Sequence, residues 1–430
     1  MSRISDVTIY GATGFTGALA CAYLDRVILL AREQEAIKPH ELQFQNQREF
    51  LHTVVGQQTK ASIRWYLAGR DEKKLLEMKQ KFTTCSGIFV ADSSDQTAVD
   101  KMVANSRVLL SFAGPFQLYG SGVVAACVKH GTHYCDSTGE VPWVQQMDTQ
   151  FGQQAQENGT KIVPMCGFDC VPSDLGVLYA VTKLRELYPQ SQGVRECKTY
   201  ASTIGGLSGG TTYTFMLMEN DPVSKDPFAL SGGPESQEQL QHAMGTQREA
   251  KYESELGQWT APFMMEMLNT RVVRKSAKAL GYRNGNKGGF LYSESALAKS
   301  EAVARKMAMP GPSIEVRKQL VAQGKLPSPG QGPDHALRRK SKFRLWIKAE
   351  GEAGERVWVS VSGGEMGYED TSLMCVESAL ALALDFDSLP RGGGVQTPSQ
   401  ALGTVLVERL QLAGIRFKVS HHQPFGMAAL

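Results

Sequence analysis

Asp6-Val7-Thr8-Ile9-Tyr10-Gly11-Ala12-Thr13-Gly14-Phe15-Thr16-Gly17 decides the fold. Val7 to Tyr10 is a short β-branched and aromatic run, the composition of a buried strand. A helical pattern over residues 16–30 follows it. Between the two lie three glycines spaced G-x-x-G-x-x-G. At such a junction Gly11 permits the tight turn, Gly14 lets a pyrophosphate approach the backbone, and Gly17 lets the helix pack on the strand. The helix N-terminus favours an anion, because its first amides have no partner within the helix. Gly11, Ala12, Thr13, Gly14, Phe15, Thr16 and Gly17 are therefore the candidate cofactor loop.

Working outward, further apolar strands at 65–68, 88–91, 108–112, 133–135 and 161–164 alternate with helical patterns at 71–82, 121–129 and up to 157. Strand, helix, strand repeated in this way leaves a doubly wound parallel sheet. Residues 31–62, polar and rich in Gln and Glu, read as a helical extension or a surface insertion. The pattern changes after Leu175. A longer strand at 194–204, a polar stretch at 221–258 that reads as a lid or an excursion, a Pro-rich connector at 310–334 and a hairpin of 343–348 with 357–361 follow. Residues 373–386 are apolar on every side of a helix, as in a helix buried between other elements. The fold class is α/β: an N-terminal Rossmann doubly wound parallel sheet over 1–175, completed by C-terminal helices over 371–430. A second α+β domain, for substrate binding or dimerisation, occupies 176–370.

Ligands of open parallel sheets bind at the carboxyl ends of the strands, so the residues just after each strand are the next candidates. After the second strand stands Gly69-Arg70-Asp71. An acidic residue there would suit the ribose hydroxyls of NAD, whereas Arg70 suits the 2′-phosphate of NADP. NADP is expected, with NAD as the alternative, and Asp71 complicates the choice. Asp92 and Ser93 after the third strand would border the adenine, and Ala113, Gly114 and Pro115 after the fourth the pyrophosphate and nicotinamide ribose, against the plainer reading of ordinary loop chemistry at both. Tyr119 is the candidate proton donor by position, against the plainer reading of a loop tyrosine packed on the sheet edge. Asp136, Ser137, Glu140, Asp169, Ser173 and Asp174 also follow strands and could face the cofactor.

Two other patterns carry less. Tyr179 and Lys183 match a Tyr-x-x-x-Lys pair, but Cys166 or a neighbour stands where a supporting Ser is wanted, so the pair reads as a coincidence on a buried helix. Cys166 and Cys170 have no third soft ligand nearby, and no metal site is expected.

Composition narrows the class. At 430 residues with 42% apolar and 21% charged residues the chain supports two or three domains with real cores. Lys plus Arg at 46 against Asp plus Glu at 43 gives a net charge of +3, too small to mark a nucleic-acid partner. Eight cysteines without a C-x-x-C pair read as reduced thiols of an intracellular, cytoplasmic protein. Neither a signal peptide nor a transmembrane segment is evident. The partners expected are a small-molecule or acyl substrate, with a homodimer and a peripheral lipid surface open.

Eight stretches, in order along the chain, carry a resemblance: DVTIYGATGFTG (6–17), WYLAGRDEKKL (65–75), SFAGPFQLYG (111–120), CVKHGTHYCDSTGE (127–140), CGFDCVPSDLG (166–176), APFMMEMLNTRVVRKS (261–276), SGGEMGYEDTSLMCVESALALAL (362–384) and GGGVQTPSQALG (392–403). Together they resemble the saccharopine dehydrogenase-like oxidoreductases, and within them the trans-acting enoyl reductases. The resemblance implies a Rossmann domain beside an α+β domain and an NAD(P)H-dependent reductase of a C=C or C=N bond, with a place in lipid metabolism. The competing class is a nucleotide-binding scaffold or lipid-droplet-associated protein without catalysis. A saccharopine-type substrate would need cations for its carboxylates. Arg271 and Arg274 are available, against the plainer reading of a solvated stripe on one helical face. An acyl substrate would need the glycine-rich 205–210 to line a groove, and this reading is the slightly favoured one.

Overall fold

The computed structural model describes residues 3–34, 63–191, 193–205, 209–283, 288–326, 332 and 334–420. The expected insertion, from residue 35 onward, lies outside the described residues. The chain divides into two compact units, Met1–Phe168 with Gly367–Ile415, and Asp169–Met366 with Arg416–Leu430. Among the described residues no helix is long and apolar enough to cross a membrane.

The first unit is built on a seven-stranded sheet. Its strands are β1 (Ser5–Tyr10), β2 (Trp65–Gly69), β3 (Gly87–Val90), β4 (Ser106–Ser111), β5 (His133–Asp136), β6 (Lys161–Val163) and, late in the chain, β13 (Gly394–Val395), with strands numbered along the sequence. Their order is β13-β6-β5-β4-β1-β2-β3 and every pairing is parallel. Val7, Ile9, Leu67, Val108, Leu109 and Leu110 are fully buried, which is why these runs lack the alternation of a half-exposed sheet. Strand order reverses at β1, between β4 and β2, and the glycine loop leaves the carboxyl end of that strand.

Helix Glu369–Leu384 is buried without a break from Thr371 to Ala383, so its apolar circumference is matched by neighbours on all sides. One of those residues is an acid. Glu377 is 0% exposed and its carboxylate accepts from Arg409 Nε at 2.8 Å and Tyr23 Oη at 2.7 Å. Arg409 Nη1 also donates to Asp385 at 2.8 Å. This network joins the first helix, Phe15–Gln34, to helices Glu369–Leu384 and Pro398–Leu412. The last of these starts on Thr397, whose side chain caps Gln400 N in a reciprocal capping box.

The second unit carries a mixed sheet in the order β14-β12-β11-β7-β10-β9-β8. Its strands are β7 (Val194–Ile204), β8 (Lys251–Glu253), β9 (Gln258–Pro262), β10 (Leu291–Ala298), β11 (Lys342–Gly351), β12 (Arg356–Gly363) and β14 (Arg416–Ser420). β7 and β10 run parallel, and the other pairs are antiparallel. Helix Val171–Leu187 lies on β11 and β12, and Gly176 lets it approach. A Cβ there would stand 2.4 Å from Ile347 Cδ1 and 2.9 Å from Val361 Cγ2.

Three expectations are corrected here. The end of the segment 371–430 does not stay with the first unit: Arg416–Ser420 pairs with β12, Val361 opposite Phe417, because its alternating side chains complete the edge of the second sheet. The stretch 221–258 is not simply a lid, since it supplies β8, which pairs with β9. Arg271 and Arg274 form no solvated stripe, being 6% and 3% exposed. Arg271 donates to the carbonyls of Asp226 and Ser224, and Arg274 to those of Pro227 and Tyr292. Each guanidinium thus satisfies backbone acceptors at the end of the short helix Pro222–Lys225 or just after it, and Arg274 ties them to β10.

Removing Arg409 would strand Glu377 without its cation in a site closed to water. Arg409→Ala is expected to lose about 3–5 kcal/mol in urea unfolding. A loss below about 1 kcal/mol would mean that water reaches the carboxylate.

Candidate functional site at the carboxyl edge of the first sheet

The loop after β1 is fixed from two sides. Gly11 and Ala12 donate their N–H groups to Ala68 O at 3.0 and 3.2 Å, and Gly14 N closes a turn on Gly11 O at 3.0 Å. Gly11 has φ +79°, and a Cβ on it would stand 2.8 Å from both Phe112 C and Ala113 N. At Gly17 a Cβ would fall 2.3 Å from Gly11 O, so only glycine lets the helix sit this close to the turn. Ala18 N to Gly14 O, 2.9 Å, opens the helical ladder, and the amides before Ala18 point along the axis toward the loop. Thr13 and Gly14 are exposed, whereas Ala12 and Gly17 are buried. This exposed turn at a helix N-terminus fits a dinucleotide pyrophosphate.

The ends of the next two strands complete an edge beside it. Arg70 is exposed directly after β2. Asp71 accepts from Lys74 N at 3.0 Å and pairs with Lys74 Nζ at 3.6 Å, capping helix Glu72–Lys79. Its charge is thus occupied by the helix, which resolves the ambiguity beside Arg70. Asp92 folds onto its own turn, accepting from Ser94 N at 2.9 Å and Ser94 Oγ at 2.8 Å. Those bonds, with Arg70 nearby, hold its carboxyl below the usual range. Tyr10, the last residue of β1, ties the edge together. Burial pushes its phenol up to about 12 with Asp92 adding to the rise, while a bond to Ser93 and the charge of Arg70 oppose it. Arg70, Asp92, Ser93 and Tyr10 therefore converge at one corner.

A family model, the saccharopine dehydrogenase NADP-binding domain, matches residues 48–163, the stretch that holds β2 to β6. A Mycobacterium tuberculosis protein, named provisionally as a trans-acting enoyl reductase, is 31% identical over 97% of this chain and 98% of its own. The chain belongs to the saccharopine dehydrogenase-like oxidoreductase family. It is an NADP-binding oxidoreductase. The trans-acting enoyl reductase of Mycobacterium ulcerans is 28% identical over 96% of this chain and 97% of its own. Among solved structures, apo saccharopine dehydrogenase (L-Glu forming) from Saccharomyces cerevisiae aligns with a TM-score of 0.48 and 12% identity over 96% of this chain and 99% of that one.

In this oxidoreductase the β4 end borders the cofactor loop directly, through the approach of Phe112 and Ala113 to Gly11. Gly114 and Pro115, joined by a cis peptide, lead into the short helix Phe116–Tyr119. Tyr119 is 45% exposed, so it is not the packed sheet-edge tyrosine of the plainer reading. Asp136 and Glu140 are 0% and 2% exposed and turn inward, away from any ligand at the edge. Burial pushes the Asp136 carboxyl up to about 7, against bonds from Thr138 N, Tyr134 Oη and Met165 N. Burial likewise raises Glu140, whose carboxylate accepts from Gln117 N at 2.7 Å and Phe116 N at 3.0 Å.

Other candidates fall elsewhere. Asp174 accepts from Ser276 Oγ and Ser173 from Asn269 Nδ2, both buried in the second unit. Lys183 sits over the Tyr179 ring at 5.5 Å and bonds Glu186 at 2.6 Å, so it does not address the phenol oxygen. Cys166 bonds Val163 O, and among the described residues no cluster of His, Cys, Asp or Glu could hold a metal ion. The glycine-rich 205–210 falls partly outside the described residues. Sequence reasoning missed Tyr10, whose only signal was a phenol closing the β-branched run Val7-Thr8-Ile9.

Gly17→Ala tests the loop. The variant is expected to fold but to bind NADPH at least about tenfold more weakly, since a displaced Gly11 carbonyl moves the whole turn. An unchanged dissociation constant by fluorescence titration would place the dinucleotide elsewhere.

Proposed function

We propose that this oxidoreductase reduces the carbon–carbon double bond of an enoyl substrate with NADPH. The observation that carries the reading is the end-to-end likeness to mycobacterial trans-acting enoyl reductases, 28–31% identical over at least 96% of the chain. The burial of Arg271 and Arg274 on backbone carbonyls supports an acyl substrate over a polycarboxylate amino acid, because neither guanidinium is left to clamp carboxylates.

The chain's own residues divide the work along the edge. Gly11 to Gly17 hold the pyrophosphate with backbone amides, and Ala113, Gly114 and Pro115 border the nicotinamide ribose. Asp92 and Ser93 line the adenine side, and Arg70 takes the 2′-phosphate through charge-assisted bonds. NADPH held there would supply a hydride for the enoyl β-carbon, and with a proton at the α-carbon the products would be a saturated acyl group and NADP⁺. Tyr119, exposed on its short helix, is the phenol assigned to deliver that proton.

Arg70→Ala separates the cofactors. The loss should be about 1.5–3 kcal/mol for NADPH, on the order of tenfold to a hundredfold, with NADH little affected. Equal losses for the two, or a parent preferring NADH, would show that Arg70 does not read the phosphate.

The substrate assignment is checked by NADPH oxidation with an enoyl thioester and, in parallel, the reverse-direction oxidation of saccharopine. Turnover of the thioester is expected, with Tyr119→Phe lowering kcat about 10²–10⁴-fold at unchanged NADPH affinity. Turnover of saccharopine alone would sink the enoyl reading, and a fully active Tyr119→Phe would remove that residue from the chemistry.

A further inference from the structure

Asp136-Ser137-Thr138-Gly139-Glu140 starts on the last residue of β5 at the carboxyl edge, yet its polar side chains serve the protein and not the solvent. Asp136, Thr138 and Glu140 are 0%, 2% and 2% exposed, and only Ser137 of this segment is half-buried. Their bonds run in one line. Met165 N donates to Asp136 Oδ1 at 2.9 Å, Thr138 N to the same oxygen at 3.0 Å, and Tyr134 Oη to Asp136 Oδ2 at 2.7 Å. Glu140 N donates to Thr138 Oγ1 at 3.0 Å. The Glu140 carboxylate then receives Phe116 N and Gln117 N, one on each oxygen. The loops after β4, β5 and β6 are thereby joined through side chains.

The two ends of this line are places where the backbone is constrained. Among the described residues Met165 is the non-glycine residue with positive φ, at +62°, a left-handed conformation that the Asp136 carboxylate holds through its N–H. At the other end Phe112 and Ala113, just ahead of Phe116 and Gln117, lie so close to Gly11 that a Cβ there would stand 2.8 Å from Phe112 C and Ala113 N. Below it, Phe116 packs on Trp143 with centroids 5.5 Å apart, and a Cβ on Gly120 would meet Trp143 at 2.6 Å. Packing thus supports the loop from beneath, Tyr10 O and Ser111 Oγ take the amides of Phe112 and Ala113, and the Glu140 carboxylate grips those of Phe116 and Gln117. Burying two acids in a five-residue segment is costly unless their acceptor positions are needed.

We propose that Glu140 is a positioning residue for the nicotinamide half of the cofactor site, setting the loop 112–117 against Gly11 through the amides of Phe116 and Gln117. Thr138 supports it by holding the Glu140 backbone, and Asp136 anchors both to the β6 loop. The adenosine half, at Arg70, Asp92 and Ser93, belongs to the ends of β2 and β3 and receives none of these bonds. The proposal rests on the reading that this edge binds NADPH.

The consequence is a split that general destabilisation does not produce. Glu140→Gln keeps the shape but turns an amide N–H toward one of the loop's N–H groups. It should raise the dissociation constant of NADPH about tenfold while leaving that of 2′,5′-ADP, which carries only the adenosine half, within about twofold. Thr138→Val should show the same split more weakly, and Thr138→Ser, which restores the hydroxyl, should return parent values. Both ligands are titrated calorimetrically against parent and variants, with melting temperatures alongside. If Glu140→Gln does not fold, Thr138→Val and Thr138→Ser carry the same comparison. Equal weakening of both ligands, or of neither, overturns the positioning role and leaves the cofactor site standing. A parent that binds neither ligand overturns both.

Discussion

The backbone of Gly11 is held between two other strands, and the first unit's function depends on that crowding. Its amide is committed to Ala68 O at the end of β2, and its Cα faces Phe112 and Ala113 at the end of β4 with no room for a methyl group. Gly17 closes the third side against the Gly11 carbonyl. The loop is thus held from three sides, and amides held in this way would meet a phosphate with little further ordering, which is where pre-organised sites gain their affinity. The same geometry makes the site sensitive to anything that moves the β4 loop.

What lies behind this edge is unusually polar for a core. Glu377 with Arg409, and Asp136 with Thr138 and Glu140, are buried hydrogen-bonded groups where aliphatic residues would cost less desolvation. Each spans elements that are distant in sequence: Tyr23 reaches Glu377, Phe116 reaches Glu140 and Met165 reaches Asp136. Apolar contacts fill volume but are indifferent to small shifts along a strand or helix. Directed bonds to a carboxylate are not, so these groups define the relative placement of the helices and loops around the cofactor edge.

Much of the candidate site was legible in the sequence because its signals are local. The strand, three glycines and helix of 7–30 state their own conformation, and Arg70 and Asp71 follow β2 by simple count. The helix Glu369–Leu384 was legible too, since an unbroken apolar circumference has one physical meaning. The roles of Asp71 and Tyr10 were not: a cap on Lys74 N and a corner shared with Ser93 and Arg70 are facts of orientation, and composition carries no orientation.

Sequence by itself determined the α/β class and the strand, glycine turn and helix that open the chain, since period and glycine spacing are properties of neighbouring residues. Only the tertiary structure decided which polar residues face outward. Arg271 and Arg274 became backbone staples, Asp136 and Glu140 turned inward as loop anchors, and Arg416–Ser420 joined the second sheet instead of the first unit. The physical reason is common to all of them. A buried donor or acceptor must find its partner in three dimensions, and each of these partners lies on a segment remote in sequence, where no local pattern records it.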